Sequence, residues 1–123
     1  MPSDTLTIDV TPKEEGRVAL FSLRGSLDIA TAPSLRAALL EAAERDGHEI
    51  VVDLSHLEFL DSSGLGALIG AHKLAEEHQG SVRLVAQEGQ ILRLLRITGL
   101  LEVLNVYSSV DAAIAGDARL VGF

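Results

Sequence analysis

The residues with the sharpest chemical potential in this chain lie together, in Asp61-Ser62-Ser63-Gly64-Leu65-Gly66. A carboxylate and two hydroxyls stand directly before a helical pattern, in which Leu65, Leu68, Ile69 and His72 recur at i, i+3, i+4 and i+7. Asp and Ser cap helices because their side-chain oxygens accept from the orphan N–H groups of the first turn. Capping is the ordinary role for Ser63. Asp61 can supply a second cap or a loop bond. Ser62 and Ser63 both offer hydroxyls where one suffices for a cap, which leaves a hydroxyl available for other chemistry. A hydroxyl here sits where an added phosphate would meet N–H groups and the positive end of the helix dipole. The stretch therefore reads as a capped helix whose first turn can take a phosphate on one of its paired serines without unfolding. Gly64 and Gly66 leave that turn bare, at a cost of about 0.5–1 kcal/mol each relative to Ala.

Other chemistries fit less well. A nucleophilic Ser62 would need a histidine at its side and an oxyanion site, and the Gly-x-Ser-x-Gly elbow is absent. An aspartyl-phosphate receiver built on Asp53 or Asp61 would need neighbouring carboxylates for Mg²⁺, and the strand end at Arg24-Gly25 carries no acidic pair. His56, His72 and His78 share no metal-ligand spacing on one face, and the chain has no Cys. The expectation is a non-enzymatic module with no metal and no cofactor. A small-molecule sensor of the same fold stays open.

The elements that must position these groups follow from periodicity. Leu6, Ile8 and Val10 alternate with polar residues, as in a half-exposed strand, and Pro12 to Gly16 is turn-like. Arg17 to Leu23 is a second strand and a hairpin partner of the first; Arg24 to Asp28 ends it. Thr31 caps a first helix, with Pro33 in its first turn and Leu35, Ala38, Leu39 and Ala42 as the buried stripe; Gly47 closes it. A third strand runs from Glu49 to Leu54, and Ser55 to Leu60 connects it to the second helix, about Ser63 to Gln79, which Gly80 stops. Val82, Leu84 and Val85 form a fourth strand. Ile91, Leu94 and Leu95 mark a third helix with Arg93 and Arg96 on its solvated side, ended by Gly99. Val103 to Tyr107 is a fifth strand, and Ser108 or Ser109 caps a last helix with Val110, Ala113 and Ile114. The tail from Ala115 to Phe123 carries no motif.

The order β-β-α-β-α-β-α-β-α implies an α/β domain: a mixed sheet of about five strands, with an N-terminal hairpin and parallel βα units. The crossover rule alone leaves open whether helices cover one face or two. Val51 and Val52 are expected beneath Leu65, Leu68 and Ile69. Two parallel strand ends place Asp28 and Ser62 at one edge of the sheet.

Composition sets the outer bounds. At 123 residues, 47% of them apolar, the chain is a single domain spanning 1–123 with a normal, aliphatic core: three Phe, one Tyr and no Trp. The net charge of −8 argues against direct nucleic-acid binding. The start has neither a basic nor an apolar leader region, and no apolar run approaches the ~20 residues of a membrane span. No membrane partner is expected, and the absence of Cys fits a cytoplasmic location.

The chain resembles the STAS domain family, in particular the anti-sigma factor antagonists. The resemblance is carried by Gly25-Ser26-Leu27-Asp28, by Val52-Asp53-Leu54 leading to Phe59-Leu60-Asp61-Ser62-Ser63-Gly64-Leu65-Gly66, and by Leu92-Arg93-Leu94-Leu95 with Thr98-Gly99-Leu100. It implies helices mostly on one face of the sheet. It also implies that Ser62 is phosphorylated by an ATP-binding anti-sigma factor serine kinase, and that the unphosphorylated form binds this kinase and releases a sigma factor. A serine phosphatase would restore the site. Asp28 then lies on the contact surface, and Asp61, Ser62, Ser63 and Gly64 complete the partner-binding set. The alternative within the family is a scaffold or sensor component, stressosome-like or ligand-binding, that does not act on a sigma factor.

Overall fold

A computed structural model describes residues 5–121 of the chain; Gly122 and Phe123 of the tail, and residues 1–4 of the expected 1–123 domain, lie outside them. Strand β1 (Leu6–Lys13) leads through a short 3₁₀ turn at Glu14–Gly16 into β2 (Val18–Leu27). Then follow α1 (Ala32–Ala43), β3 (Glu49–Leu60), α2 (Ser62–Glu77), β4 (Ser81–Val85), α3 (Gln90–Ile97), a 3₁₀ turn at Leu100–Glu102, β5 (Asn105–Tyr107) and α4 (Val110–Ala115). The sheet order is the chain order, β1-β2-β3-β4-β5. β1 is antiparallel to β2, and all later pairings are parallel.

That order decides which faces the helices cover. Each parallel strand is added on the same side of the last, so right-handed crossovers put every connecting helix on one face. Leu35 and Leu39 of α1, Leu65 and Leu68 of α2, and Leu92 and Leu95 of α3 all join one core with Phe21, Leu23, Ile50, Val52, Leu84 and Val106. α4 follows the last strand and crosses nothing. It packs on the opposite face, where Ala113 meets Val18, Leu20, Val51, Val85 and Tyr107. The sequence-based expectation of Val51 beneath α2 is thus corrected: Val51 lies on the α4 face, and only Val52 lies on the α2 face. Adjacent strand residues point to opposite faces, so Val51 and Val52 cannot both serve one helix. Arg83 fastens α4 by donating from Nη1 to the carbonyls of Ala113 (2.7 Å) and Ile114 (3.3 Å) in its last turn, where Ala113 O also accepts from Gly116 N at 3.3 Å.

Several boundaries differ from the sequence reading. Pro12 and Lys13 belong to β1, opposite Ala19 and Val18. β2 does not end at Leu23 but runs to Leu27, and β3 does not end at Leu54 but runs to Leu60. The two extensions pair with each other, Arg24 with His56, Gly25 with Leu57, Ser26 with Phe59 and Leu27 with Leu60. Register shifts between Ser22 and Arg24 and between Gly25 and Ser26 each add a residue on β3. Such bulges shift the phase of alternation, which is why these segments do not read as strand. Gly25 is obligatory there: its φ is +107°, and a Cβ would stand 2.2 Å from the carbonyl oxygen of Thr5. On α3 the buried pair is Leu92 and Leu95, with Ile91 and Leu94 half-buried. On α1, Ala38 and Ala42 are half-buried, whereas Ala32 and Ala43 are buried with Leu35 and Leu39. β5 begins at Asn105; Val103 is exposed in the turn before it. The tail lies along β5, with Leu120 N donating to Val106 O at 2.7 Å and Arg119 bonded to Asn105 Oδ1 at 2.9 Å.

Candidate functional site

The site forms where β2 and β3 end side by side. Because the two strands are parallel and in register at Leu27 and Leu60, the loop into α1 and the N-terminus of α2 leave the same edge of the sheet. Asp61 N donates to Leu27 O at 3.2 Å across this junction. Asp28 and Ser62 thus share one end of the domain, as the parallel strands require.

Asp61 is the cap of α2. Its backbone is extended, with φ −115° and ψ −173°, and its Oδ1 accepts from Ser63 N at 2.9 Å and Gly64 N at 3.2 Å. The capping role expected of Ser63 is therefore taken by Asp61. Ser62 and Ser63 are already inside the first turn, where a serine oxygen no longer faces the orphan N–H groups. Ser62 is exposed and Ser63 half-buried. Among the described residues, neither hydroxyl makes a hydrogen bond. The N–H groups of Ser63 and Gly64 are consequently not vacant for a phosphate, as the sequence suggests, but hold a carboxylate.

Gly64 does not reach the surface. It is buried under the ends of β2 and β3, and a Cβ there would stand 2.6 Å from Leu27 Cγ and 2.6 Å from Leu60 Cδ1. Its missing side chain lets α2 start close against the sheet. Gly66 is different: the nearest atom to a Cβ is Arg36 Nη2, at 3.8 Å.

Asp28 organises the loop ahead of α1. Its Oδ1 accepts from Ala30 N at 3.0 Å and Thr31 N at 3.1 Å. Thr31, expected to cap α1, makes no side-chain cap bond. Its backbone is already helical, and its Oγ1 turns back to accept from Asp28 N at 3.0 Å and to donate to Ser26 O at 2.8 Å. The loop is closed on itself, with Ile29 at its tip. Ile29 was not singled out from the sequence; the only signal was an apolar residue inside an Asp-x-x-Thr turn.

The histidines are dispersed. His56 is exposed on β3, His72 is buried on α2 with Nε2 3.3 Å from Glu76, and His78 bonds Asp46 at 3.0 Å. Among the described residues, none is hydrogen-bonded to Ser62, and no group of three metal-ligating side chains forms. No helix among them is long and apolar enough to cross a membrane.

The family profile of the STAS domain matches residues 9–113, which span the bulged strand edge, the exposed serine and the glycine-fitted helix start. This chain belongs to that family. Within it, the chain is similar to anti-sigma factor antagonists, among them the anti-sigma F factor antagonist of Paenibacillus polymyxa, 30% identical over 105 residues, 85% of this chain and 90% of that one. It is 28% identical over 109 residues to the anti-sigma-B factor antagonist of Bacillus subtilis, covering 89% of this chain and 99% of that one. It superposes with a TM-score of 0.82, at 29% identity, on an anti-sigma factor antagonist from Mycobacterium paratuberculosis, covering 92% of this chain and 94% of that one. It also shares its fold with SpoIIAA in the unphosphorylated form (TM-score 0.66) and the phosphorylated form (0.62), each at 18% identity over 89% of this chain and at least 96% of SpoIIAA.

Proposed function

We propose that this antagonist is switched by phosphorylation of Ser62. The unphosphorylated form binds an ATP-binding anti-sigma factor kinase and thereby frees a sigma factor. The kinase transfers phosphate to Ser62 and ends the contact, and a serine phosphatase restores it. The observation that carries this reading is the exposed Ser62 hydroxyl, with no hydrogen bond of its own among the described residues, at the edge shared with Asp28.

The physics of the switch is local. A phosphoserine adds about −1.5 to −2 of charge at neutral pH. Here it arrives next to the Asp61 carboxylate, which already holds two first-turn N–H groups, on a chain of net charge −8. The helix dipole offsets roughly 0.3–1 kcal/mol of that repulsion. The phosphate therefore points to solvent and leaves the fold in place. An interface fitted to a neutral hydroxyl has no such outlet, since a buried, unpaired charge is costly. About 1.4 kcal/mol of repulsion lowers affinity tenfold.

The test is a titration of the purified anti-sigma kinase from the source organism with the unphosphorylated and phosphorylated protein, joined to phosphosite mapping. Labelling at Ser62 with loss of binding supports the reading. Labelling at Ser63, or unchanged affinity after labelling, removes it. Binding only to other STAS proteins would point to the scaffold alternative.

A further inference from the structure

Ile29 is 78% exposed, at the tip of the loop between β2 and α1. The fold gains nothing from burying it, yet the loop that carries it is held in one shape. Asp28 Oδ1 fastens the N–H groups of Ala30 and Thr31, and Thr31 Oγ1 bridges Asp28 N and Ser26 O. Two carboxylates, Asp28 and Asp61, stand on the same edge. A second large apolar side chain, Phe59, is 40% exposed on the same strand ends, opposite Ser26. Single exposed aliphatic residues are ordinary. An aliphatic tip on a preorganised loop beside a switch residue is what a binding hot spot requires: little ordering cost on association, and apolar area to desolvate.

From this placement we infer that Ile29 is the apolar anchor of the contact with the anti-sigma factor, and that it enters a small apolar pocket on that protein. The inference rests on the proposed function for its partner. It also supplies a reason for the switch to work. A phosphate on Ser62 would have to be desolvated next to an apolar contact, where a charge is poorly tolerated. Ile97 offers an internal comparison. It is 75% exposed, but at the C-terminal end of α3, and so at the opposite edge of the sheet from Ser62.

The experiment measures the affinity of the unphosphorylated protein for the purified anti-sigma kinase by calorimetry, for wild type, Ile29→Ala, Ile29→Leu and Ile97→Ala. Melting curves check the fold, which an exposed tip should leave unchanged. Ile29→Ala should lose tenfold or more in affinity, Ile29→Leu should recover most of it, and Ile97→Ala should stay within twofold of wild type. An Ile29→Ala variant within twofold of wild type overturns the inference, while the proposed function stands. Equal losses in Ile29→Ala and Ile97→Ala overturn it as well. Wild type that binds no anti-sigma kinase overturns both the inference and the function it rests on.

Discussion

Leu27 and Asp61 are joined main chain to main chain, Asp61 N donating to Leu27 O at 3.2 Å. This one bond is the seam between the two loops of the site. On one side the chain continues into Asp28 and the closed turn before α1; on the other, Asp61 caps α2 and presents Ser62. The bond ties the start of one loop to the start of the other, so the acidic residue and the serine follow directly from one joined pair of strand ends.

The cap comes first among the predictions. Asp61→Ala leaves Ser63 N and Gly64 N without an acceptor and should lower stability by about 0.5–2 kcal/mol. Asp61→Asn keeps a side-chain oxygen and should recover most of that loss. Urea melts of the three proteins check it. Equal stability for Asp61→Ala and wild type would show that the cap is dispensable.

The two glycines of the first turn should respond with opposite signs. Gly64→Ala drives a Cβ to 2.6 Å from Leu27 and Leu60, so overpacking should cost about 1–3 kcal/mol. Gly66→Ala has room, its nearest neighbour being 3.8 Å away, and should stabilise by about 0.5–1 kcal/mol through helix propensity. Denaturant midpoints that move in the same direction for both variants contradict this.

Leu68 is fully buried between α2 and the sheet. Leu68→Ala should cost about 2–5 kcal/mol, the transfer term plus a cavity. A loss under half a kcal/mol in a denaturant melt would mean that the α2 core contact is not what holds this helix.

Asp28 must be tested with Asn before Ala. Its Oδ1 supports two backbone N–H groups, so Asp28→Ala should lose about 0.5–2 kcal/mol and blur any binding result. Asp28→Asn keeps the acceptor and removes the charge. It should weaken kinase binding with a near-native melting temperature. Binding at wild-type affinity would exclude a role for the charge.

Ser62→Ala removes an exposed hydroxyl that makes no hydrogen bond among the described residues, so its stability should stay within ±0.5 kcal/mol of wild type. It should bind the kinase and resist phosphorylation. Ser62→Asp should bind weakly, with a single charge and a shorter reach than phosphoserine. Circular dichroism of the phosphorylated wild type should match that of the unphosphorylated protein; loss of helical signal on phosphorylation would defeat the local account of the switch.

The element order, the aliphatic core and the location of Asp61-Ser62 at a helix start were all legible in the chain itself, because periodicity and turn residues report local geometry directly. Asp28 and Ser62 at one edge also followed, since parallel strands have their carboxyl ends together. Three things belonged to tertiary structure alone. The extensions of β2 and β3 were hidden because bulges break the alternation that marks a strand. The cap fell to Asp61 rather than Ser63 because the close seat of Gly64 on Leu27 and Leu60 fixes where α2 begins, and hence which oxygen faces the free N–H groups. The division of Val51 and Val52 between two cores depended on the monotonic strand order, which places α2 on one face and α4 on the other. Each of these is a relation between segments far apart in sequence, and a local pattern carries no record of what will be packed against it.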